Sequence, residues 1–257
     1  APIPPGTVHD VKMGTTVATN ALLERKGDRT LLAITSGFAD ALRIGYQNRP
    51  KLFALDIQLP ELLHESVAEI PERVGAHGEV VRPLDEAVTR QRLTAAYNDG
   101  IESVAIVLMH GYRHHQHELR VAAIASDIGF RQISVSHKTI PLMKMVSRGD
   151  TTVVDAYLSP ILRRYVDQVD AELTRGGQSG DVQDSGEEGG PKLMFMQSNG
   201  GLVDAQLFQG KDAILSGPAG GVVGMARTAT EAGFDRVIGF DMGGTSTDVS
   251  HYNGEYE

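Results

Sequence analysis

The residues best suited to chemistry lie near the end of the sequence, where two aspartates flank a glycine pair. Asp241 stands two residues before the pair Gly243 and Gly244, and Asp248 follows four residues after it. Between the pair and Asp248 lie the hydroxyl side chains of Thr245, Ser246 and Thr247. Glycine lets the backbone bend so that its N–H groups face an anion, and hydroxyls add donors. The pattern therefore predicts a phosphate-binding loop, whereas a glycine pair alone would indicate only a hairpin turn.

The acidic residues at the two ends of this loop indicate a metal ion beside the phosphates. Mg²⁺ keeps several waters and takes few carboxylates, so Asp241 and Asp248 are the candidate ligands. A carboxylate that only satisfies a turn is the alternative for Asp248. The sequence contains no Gly-x-x-x-x-Gly-Lys-Ser/Thr stretch, which excludes a P-loop enzyme.

The segments on either side of the loop are typical of strands. Val237–Phe240 is rich in β-forming residues and predicts a short buried strand, and a second strand resumes at Val249. Asn253-Gly254 is a strong turn signal. The loop is therefore expected at the tip of a hairpin.

Composition narrows the classes of function. The 257 residues carry a net charge of −9, from 24 basic and 33 acidic side chains, which argues against a nucleic-acid or anionic-membrane surface. No apolar run reaches the length of a membrane span, no stretch is typical of a signal peptide, and cysteine is absent. A cytoplasmic enzyme is expected. The first residue is not Met and the last residues lie inside the predicted hairpin, so we expect an internal piece of a longer polypeptide.

The pattern of apolar residues predicts an α/β layer structure. Thr15 and Thr16 offer hydroxyls at the start of a helix that follows a short strand, Val8–Met13. Further on, strands and helices alternate, which favours a largely parallel sheet. The predicted elements there are strand Arg29–Phe38, helix Glu86–Asp99, strand Ser103–His110, helix His117–Ile128 and strand Gln132–His137.

A long amphipathic helix is predicted next, with Asp150 as its cap and Pro160 either kinking it or marking its start. Residues 174–192 are rich in Gly, Ser and Asp and predict a mobile surface loop. A strand and turn follow at Lys192–Gly201. Ala213–Gly233 predicts a short strand, a sharp turn and a helix whose small residues permit a close approach of another backbone or a ligand.

Several histidines cluster at His110–Glu118 and invite a metal assignment. The segment straddles a strand end and a loop, and no Cys or carboxylate completes a diagnostic ligand spacing. A solvated loop before a helix is the favoured interpretation.

Motifs in this order carry a resemblance to a known family: Gly14–Gly27, Leu215–Gly224 and Gly239–Ser250. Together they resemble the hydantoinase A and 5-oxoprolinase family of the actin, sugar kinase and Hsp70 ATPase superfamily. Val153–Pro160 and the stretch around Gly14 look most similar to its ATP-dependent 5-oxoprolinase branch. The resemblance covers nearly the whole chain.

The resemblance implies a fold of RNase H-like lobes that close on ATP. Residues 1–146 would form an N-terminal-type α/β region of the family, lacking its own start. Residues 147–257 would form a hydantoinase A-type region with a crossover helix, a glycine-rich helix and the phosphate-loop hairpin, as the start of a second lobe. The family's earlier phosphate loop would lie upstream of this chain, and the adenine-binding lobe beyond Glu257.

The resemblance also implies an activity, in which ATP and Mg²⁺ phosphorylate the oxygen of a cyclic amide, 5-oxo-L-proline, so that water opens the ring to L-glutamate. Asp241 and Asp248 would be catalytic and hold the metal, and the residues that bind the nucleotide would be Gly243, Gly244, Thr245, Ser246, Thr247, Gly217 and Gly220. The candidate substrate contacts are Thr15, Thr16, Asn20, Arg148 and Asn199. For the last group, helix capping, a surface arginine and a simple turn are the alternatives.

Other functions stay open at this point. A hydantoin or N-methylhydantoin hydrolase, or a subunit of a ketone carboxylase, would use the same activation by phosphoryl transfer. A non-enzymatic module whose nucleotide state drives a partner is a further alternative. The expected partners are the remaining domains of the same enzyme and a second copy of it, in a homo-oligomer.

Overall fold

The computed structural model describes residues 8–47, 53, 55–177, 191–244 and 246–256. Elements up to residue 139 are β1 (Asp10–Met13), α1 (Val17–Leu23), β2 (Thr30–Thr35), α2 (Ala41–Ile44), β3 (Ser66–Ile70), β4 (Arg73–Val74), β5 (Val80–Arg82), α3 (Glu86–Asn98), β6 (Ser103–Val107), α4 (Gln116–Ile128), β7 (Gln132–Val135) and α5 (Ser136–Thr139). The later elements are α6 (Met145–Gly177), β8 (Lys192–Met196), β9 (Leu202–Asp204), a 3₁₀ turn (Ala205–Leu207), α7 (Gly210–Ala213), α8 (Ser216–Glu231), β10 (Val237–Met242) and β11 (Thr247–Tyr252).

The chain divides into two compact units. Residues 27–160 form the central unit, and the segments before 27 and after 160 together form the split unit. The split arises because β1 pairs in parallel with β8, with Asp10 opposite Lys192. The predicted regions 1–146 and 147–257 rest on the family resemblance and not on contacts within the fold, so they stay a prediction.

The central unit contains a four-stranded parallel sheet in the order β3-β2-β6-β7. Both middle strands, β2 and β6, are buried along their whole length, as expected of parallel strands covered on both faces. Helices α3 and α4 supply apolar side chains such as Leu93, Val121 and Ile124 to the core on one face. This arrangement confirms the predicted α/β architecture with a largely parallel sheet and flanking helices.

Local signals account for the start of α3 and the end of α4. The Asp85 carboxylate accepts a hydrogen bond of 3.0 Å from the Val88 N–H and caps α3. Gly129, with φ of +113°, ends α4 in the left-handed region, which glycine tolerates best. Both helices lie within one residue of their predicted bounds.

A buried ionic network ties α4 to the ends of β6 and β7. The fully buried Glu118 carboxylate accepts hydrogen bonds from the Leu108 N–H at 2.9 Å and from the Ser136 hydroxyl at 2.5 Å. Its other oxygen accepts from His137 Nδ1 at 2.6 Å. Fully buried Arg148 on α6 donates to the Ser136 hydroxyl at 2.9 Å and to the Leu108 carbonyl at 2.6 Å. The buried charges are therefore satisfied together.

Helix α6 differs from its prediction at both ends. It begins at Met145, so Asp150 lies inside the helix and is not its cap, and Pro160 lies in its interior and does not mark its start. The spacing of the apolar residues correctly predicted a helix here. Its start was placed too late because Asp150 was the first residue before the apolar stripe that commonly caps a helix. The helix continues to Gly177, and residues 178–190 of the predicted mobile loop lie outside the described residues.

The split unit contains a three-stranded sheet in the order β1-β8-β9 and the hairpin β10–β11. The hairpin is confirmed, but its first strand is not buried, since Ile238 and Phe240 are 73% and 66% exposed. The strand predicted at Ala213 is also wrong, because α7 ends there and α8 begins at Ser216. Its apolar residues are too few to distinguish a strand from the end of a short helix.

None of the helices within the described part of the chain is both long and apolar enough to cross a bilayer.

We expect Glu118→Gln to destabilise the protein by about 3 kcal/mol, because it leaves buried Arg148 without its charge partner and turns an amide donor toward other donors. Urea denaturation monitored by circular dichroism measures the change. Glu86→Gln is the matched control, because Glu86 pairs with Arg120 at 2.6 Å on the solvent-exposed surface and should matter little. Equal losses for the two variants would contradict a special role for the buried network.

Candidate functional site

The loop between β1 and α1 is joined to the first turn of α8. The Thr15 N–H donates to the Ser216 hydroxyl at 3.1 Å, and the Gly217 N–H donates to the Thr15 carbonyl at 3.1 Å. Thr15 and Ser216 are both buried. These hydrogen bonds hold the start of the glycine-rich helix against the loop that contains the candidate threonines.

Glycine is required where these two segments meet. A Cβ added to Gly14 would lie 3.2 Å from the Ser216 carbonyl oxygen, and one added to Gly217 would lie 2.6 Å from the Thr16 methyl carbon. Gly220 comes close to the same loop, since its added Cβ would lie 3.9 Å from the Gly14 Cα. Glycine inside a helix lowers its stability, so a structural reason for these glycines was expected. That reason is the close approach of the β1–α1 loop to α8.

Beside this contact lies a cavity of about 340 Å³. Its walls come from the end of β1, from the glycine face of α8 and from the β8–β9 hairpin. The lining residues are Lys12, Met13, Gly14, Met196, Leu202, Gly217, Gly220 and Gly221. Its volume lies within the range of about 300–1,000 Å³ that is usual for small-molecule sites.

The hairpin β10–β11 places its two aspartates opposite each other. Asp241 pairs with Asp248 in the antiparallel register, so both side chains project from the same face of the ribbon. That face is turned toward α8, because a Cβ added to Gly221 would lie 4.0 Å from Asp241 Oδ2. The carboxylates therefore lie next to the glycine face that also lines the cavity.

The loop at the tip of the hairpin is closed by its own backbone. The Gly243 N–H donates to the Ser246 carbonyl at 3.0 Å, and Gly243, Gly244, Ser246 and Thr247 are exposed. Thr245 lies outside the described residues. The loop is thus a tight turn with an exposed glycine pair, and its role in phosphate binding stays a prediction.

The predicted substrate residues fall into different environments. Thr15 is buried and its hydroxyl accepts from the Val17 N–H at 3.2 Å, whereas Thr16 is exposed and accepts a long 3.5 Å hydrogen bond from the Asn20 amide. Asn199 is exposed and its side-chain oxygen accepts from the Gly201 N–H at 2.8 Å, which is the geometry of a turn. Among the predicted substrate residues that lie in the split unit, the side chains that are at least partly accessible are those of Thr16, Asn20 and Asn199.

Arg148 belongs to the central unit and not to the unit that contains the cavity. It is fully buried in the network with Ser136 and Glu118, so neither the predicted position at the border of a cleft nor the alternative of a surface arginine describes it. Burial lowers the pKa of its guanidinium, and the Glu118 carboxylate opposes that shift. With these partners, the Arg148 guanidinium holds backbone segments of the central unit in place. We therefore assign Arg148 no role in ligand binding.

The histidine cluster also lies in the central unit. His117 Nδ1 lies 2.8 Å from the buried Glu72 carboxylate, and the His115 ring stacks on His137 with 4.7 Å between centroids. No group of three His, Asp or Glu side chains in the described residues is arranged to hold a metal ion. The cluster thus consists of histidines with separate structural partners.

Sequence reasoning did not single out Lys12, which is exposed and lines the cavity beside the glycines of α8. No local pattern marks it, because a lysine on an edge of a short strand is ordinary. Ser198 was noted only as part of a turn, yet its hydroxyl donates to the Asp212 carbonyl at 2.7 Å and accepts from the Leu215 N–H at 3.1 Å. It fixes the turn after β8 against the start of α8.

Comparison with known protein families identifies the family of the chain. The family model described as "Hydantoinase/oxoprolinase N-terminal region" matches residues 2–129, and the model "Hydantoinase/oxoprolinase" matches residues 148–257. The chain belongs to the hydantoinase/oxoprolinase family.

Curated members of the family are similar over nearly the whole chain. 5-Oxoprolinase 1 of Arabidopsis thaliana is 42% identical over 99% of the chain, and the 5-oxoprolinase of Saccharomyces cerevisiae is 39% identical over 98%. The chain spans 21% of the length of each of these relatives. The acetophenone carboxylase gamma subunit of Aromatoleum aromaticum is 28% identical over 93% of the chain, which covers 34% of that protein.

Solved structures of the hydantoinase/oxoprolinase type share the fold. The ATP-dependent caprolactamase of Pseudomonas jessenii superimposes with a TM-score of 0.72 at 30% identity, over 93% of this chain and 34% of that one. A nucleotide-free acetone carboxylase gives a TM-score of 0.78 over 96% of this chain and 36% of that one, at 23% identity.

Two glycines of α8 should respond oppositely to alanine. Gly217→Ala should destabilise the protein by about 1–2 kcal/mol, because the added methyl meets Thr16. Gly224→Ala should stabilise it by up to about 1 kcal/mol, because nothing lies within 4 Å of its added Cβ and alanine favours the helix. Thermal and urea denaturation of both variants checks the signs. A destabilised Gly224→Ala variant would contradict the described packing of this helix.

Proposed function

We propose that this chain forms part of an ATP-dependent 5-oxoprolinase, which opens 5-oxo-L-proline to L-glutamate. The observation that carries the proposal is the juxtaposition of a glycine-lined cavity, Lys12, and the carboxylates Asp241 and Asp248. Relatives named 5-oxoprolinase at 39–42% identity favour this substrate over others in the family.

ATP would supply the activation that a stable cyclic amide lacks, because phosphorylation of the lactam oxygen exposes the ring carbon to attack by water. Phosphoryl transfer depends mainly on positioning and on neutralising charge. The backbone N–H group of Gly244 would donate to phosphate oxygens, together with the hydroxyls of Thr245, Ser246 and Thr247. Gly243 would shape the loop, since its N–H closes the turn on the Ser246 carbonyl. Gly217 and Gly220 would let the nucleotide approach α8 without a side chain in the way.

The carboxylates of Asp241 and Asp248 fit a divalent cation. Like charges directly opposite each other in an antiparallel pair repel. Neither carboxylate has a hydrogen-bond or ion-pair partner among the described residues, so a cation between them would remove an uncompensated repulsion. Two carboxylates with water completing the shell match the preference of Mg²⁺.

The substrate would lie near the β1–α1 loop. Thr16, Asn20 and Asn199 are the predicted residues in the split unit with accessible polar groups, and they would bind the lactam amide. Thr15 would act by holding the loop in place. Lys12 would bind either a phosphate oxygen or the carboxylate of 5-oxoproline, since its ammonium projects from the cavity wall as a compact charge.

The other members of the family define the alternatives. A hydantoin or N-methylhydantoin hydrolase would use the same activated oxygen, and the similarity to an acetophenone carboxylase subunit favours a ketone carboxylase as the second candidate. A full-length protein that contains this chain should be screened for ATP-dependent turnover of 5-oxoproline, hydantoins, and ketones with bicarbonate. ATP consumption without turnover of any of these would favour a module that drives a partner.

Asp241→Asn in such a full-length protein should reduce ATP turnover by about a hundredfold or more, because a charge beside Mg²⁺ and the transferred phosphoryl group is lost. Phosphate release measured at saturating ATP and 5-oxoproline checks this. Asp235→Asn is the matched control, since Asp235 is an exposed aspartate just before β10. Unchanged turnover in Asp241→Asn would show that the hairpin is an ordinary turn.

A further inference from the structure

The central unit contains a second cavity that the proposed function does not use. Its volume is about 310 Å³, and it lies between α2, the segment 60–64 and α6. This volume is at the lower end of the range of about 300–1,000 Å³ that is typical of small-molecule sites. None of its lining residues belongs to the proposed nucleotide site.

One wall of the cavity is apolar and firmly packed. Leu42 and Val153 are buried, and Leu63 and Val154 are half-buried beside them. Leu42 reaches α6 only because position 149 is glycine, since an added Cβ would lie 2.6 Å from Leu42 Cδ2. The wall is therefore preformed and suits the apolar body of a small ligand.

The second feature is a histidine with no partner of its own. His64 is 8% exposed and lines the cavity, and within the described residues its ring makes no hydrogen bond. Burial lowers the pKa of His64, so the ring is neutral at pH 7 and can accept one hydrogen bond and donate another. Its ring nitrogens are accessible to a ligand, since the Ser66 hydroxyl is the only fully buried side-chain polar atom without a partner in the described residues.

Opposite charges face the same cavity without pairing. Arg43 and Asp150 both line it, yet neither has a hydrogen-bond or ion-pair partner among the described residues, including each other. Partial desolvation raises the pKa of the Asp150 carboxyl, while the side chains of Arg43 and Asp150 are both exposed at the rim of the cavity. Glu61 also lines the cavity but already has a partner. The free groups are thus one cation, one carboxylate and one neutral ring.

We propose that this cavity binds a free α-amino acid with an apolar side chain. Its carboxylate would pair with the Arg43 guanidinium, and its ammonium group with the Asp150 carboxylate. The side chain would pack on Leu42, Leu63 and Val153, and His64 would hydrogen-bond the remaining oxygen or N–H. A ligand that carries both charges suits this cavity, because the oppositely charged Arg43 and Asp150 lie at its rim and each can pair with one of them.

The proposal is tested by calorimetry on the whole chain with leucine at millimolar concentrations. Leucine should bind, while glycine, which lacks the apolar body, and glutamate, which adds a charge against the apolar wall, should bind at least about tenfold more weakly. Two leucine analogues separate the charges: 4-methylpentanoate keeps only the acid, and 3-methylbutylamine keeps only the amine. Both should bind more weakly than leucine.

Variants assign the charges to their residues. Arg43→Gln and Asp150→Asn should each weaken leucine binding by about tenfold, as expected for loss of one charge-assisted hydrogen bond. Arg43→Gln should weaken 4-methylpentanoate but not 3-methylbutylamine, and Asp150→Asn should do the reverse. Arg82→Gln and Asp235→Asn, which change exposed residues outside the cavity, are the matched controls.

Three results would overturn the proposal. They are the absence of leucine binding at tens of millimolar, analogues that bind the wild-type chain as tightly as leucine does, and leucine binding that survives both cavity variants. The analogue series uses the wild-type chain, so the test stands even where a variant fails to fold. Because the cavity shares no residue with the nucleotide site, its result is independent of ATP turnover.

Discussion

The geometry of the candidate site depends on a short contact between segments 201 residues apart, in which the buried Thr15 N–H donates to the Ser216 hydroxyl and the Gly217 N–H donates to the Thr15 carbonyl. This contact sets how closely α8 approaches the end of β1, and so sets the width of the cavity. It also explains why both sides of the contact contain glycine, since a methyl group at Gly14 would crowd the Ser216 carbonyl and one at Gly217 would meet the Thr16 methyl group. Threonine and serine suit the contact because small hydroxyls satisfy N–H groups at a helix start without filling the cavity.

Much of the fold could be predicted from the sequence because its signals are local. The caps of α3 and α4, the glycine turns after them, and the alternation of helix and strand all depend on neighbours within a few residues. The hairpin with Asp241 and Asp248 was predictable for the same reason, because a glycine loop between two β-forming segments determines the register. This register brings the two carboxylates together.

The remaining features depend on contacts between distant residues. Whether β10 is buried depends on what covers Ile238 and Phe240, and strand propensity says nothing about that. In the sequence, nothing distinguishes Arg148 from an ordinary surface arginine. It can be buried only because Glu118 and Ser136, which lie on other elements, supply it with a charge and a hydrogen-bond partner. Lys12 lines the cavity because β1, which contains it, pairs with β8. Asp150 was taken for a helix cap, but it lies within α6 and faces a different cavity.

The pairing of β1 with β8 also affects how the protein is synthesised. Asp10 pairs with Lys192, so β1 leaves the ribosome 182 residues before its partner strand. At about 5–20 residues per second, β1 remains without that partner for about 10–40 s, a time that includes the synthesis of the whole central unit. Loops of this length slow folding, because their closure entropy must be overcome before the contact forms. Because β1 has only four residues, it exposes few unpaired backbone groups during this time. This limits its pairing with strands of other nascent chains.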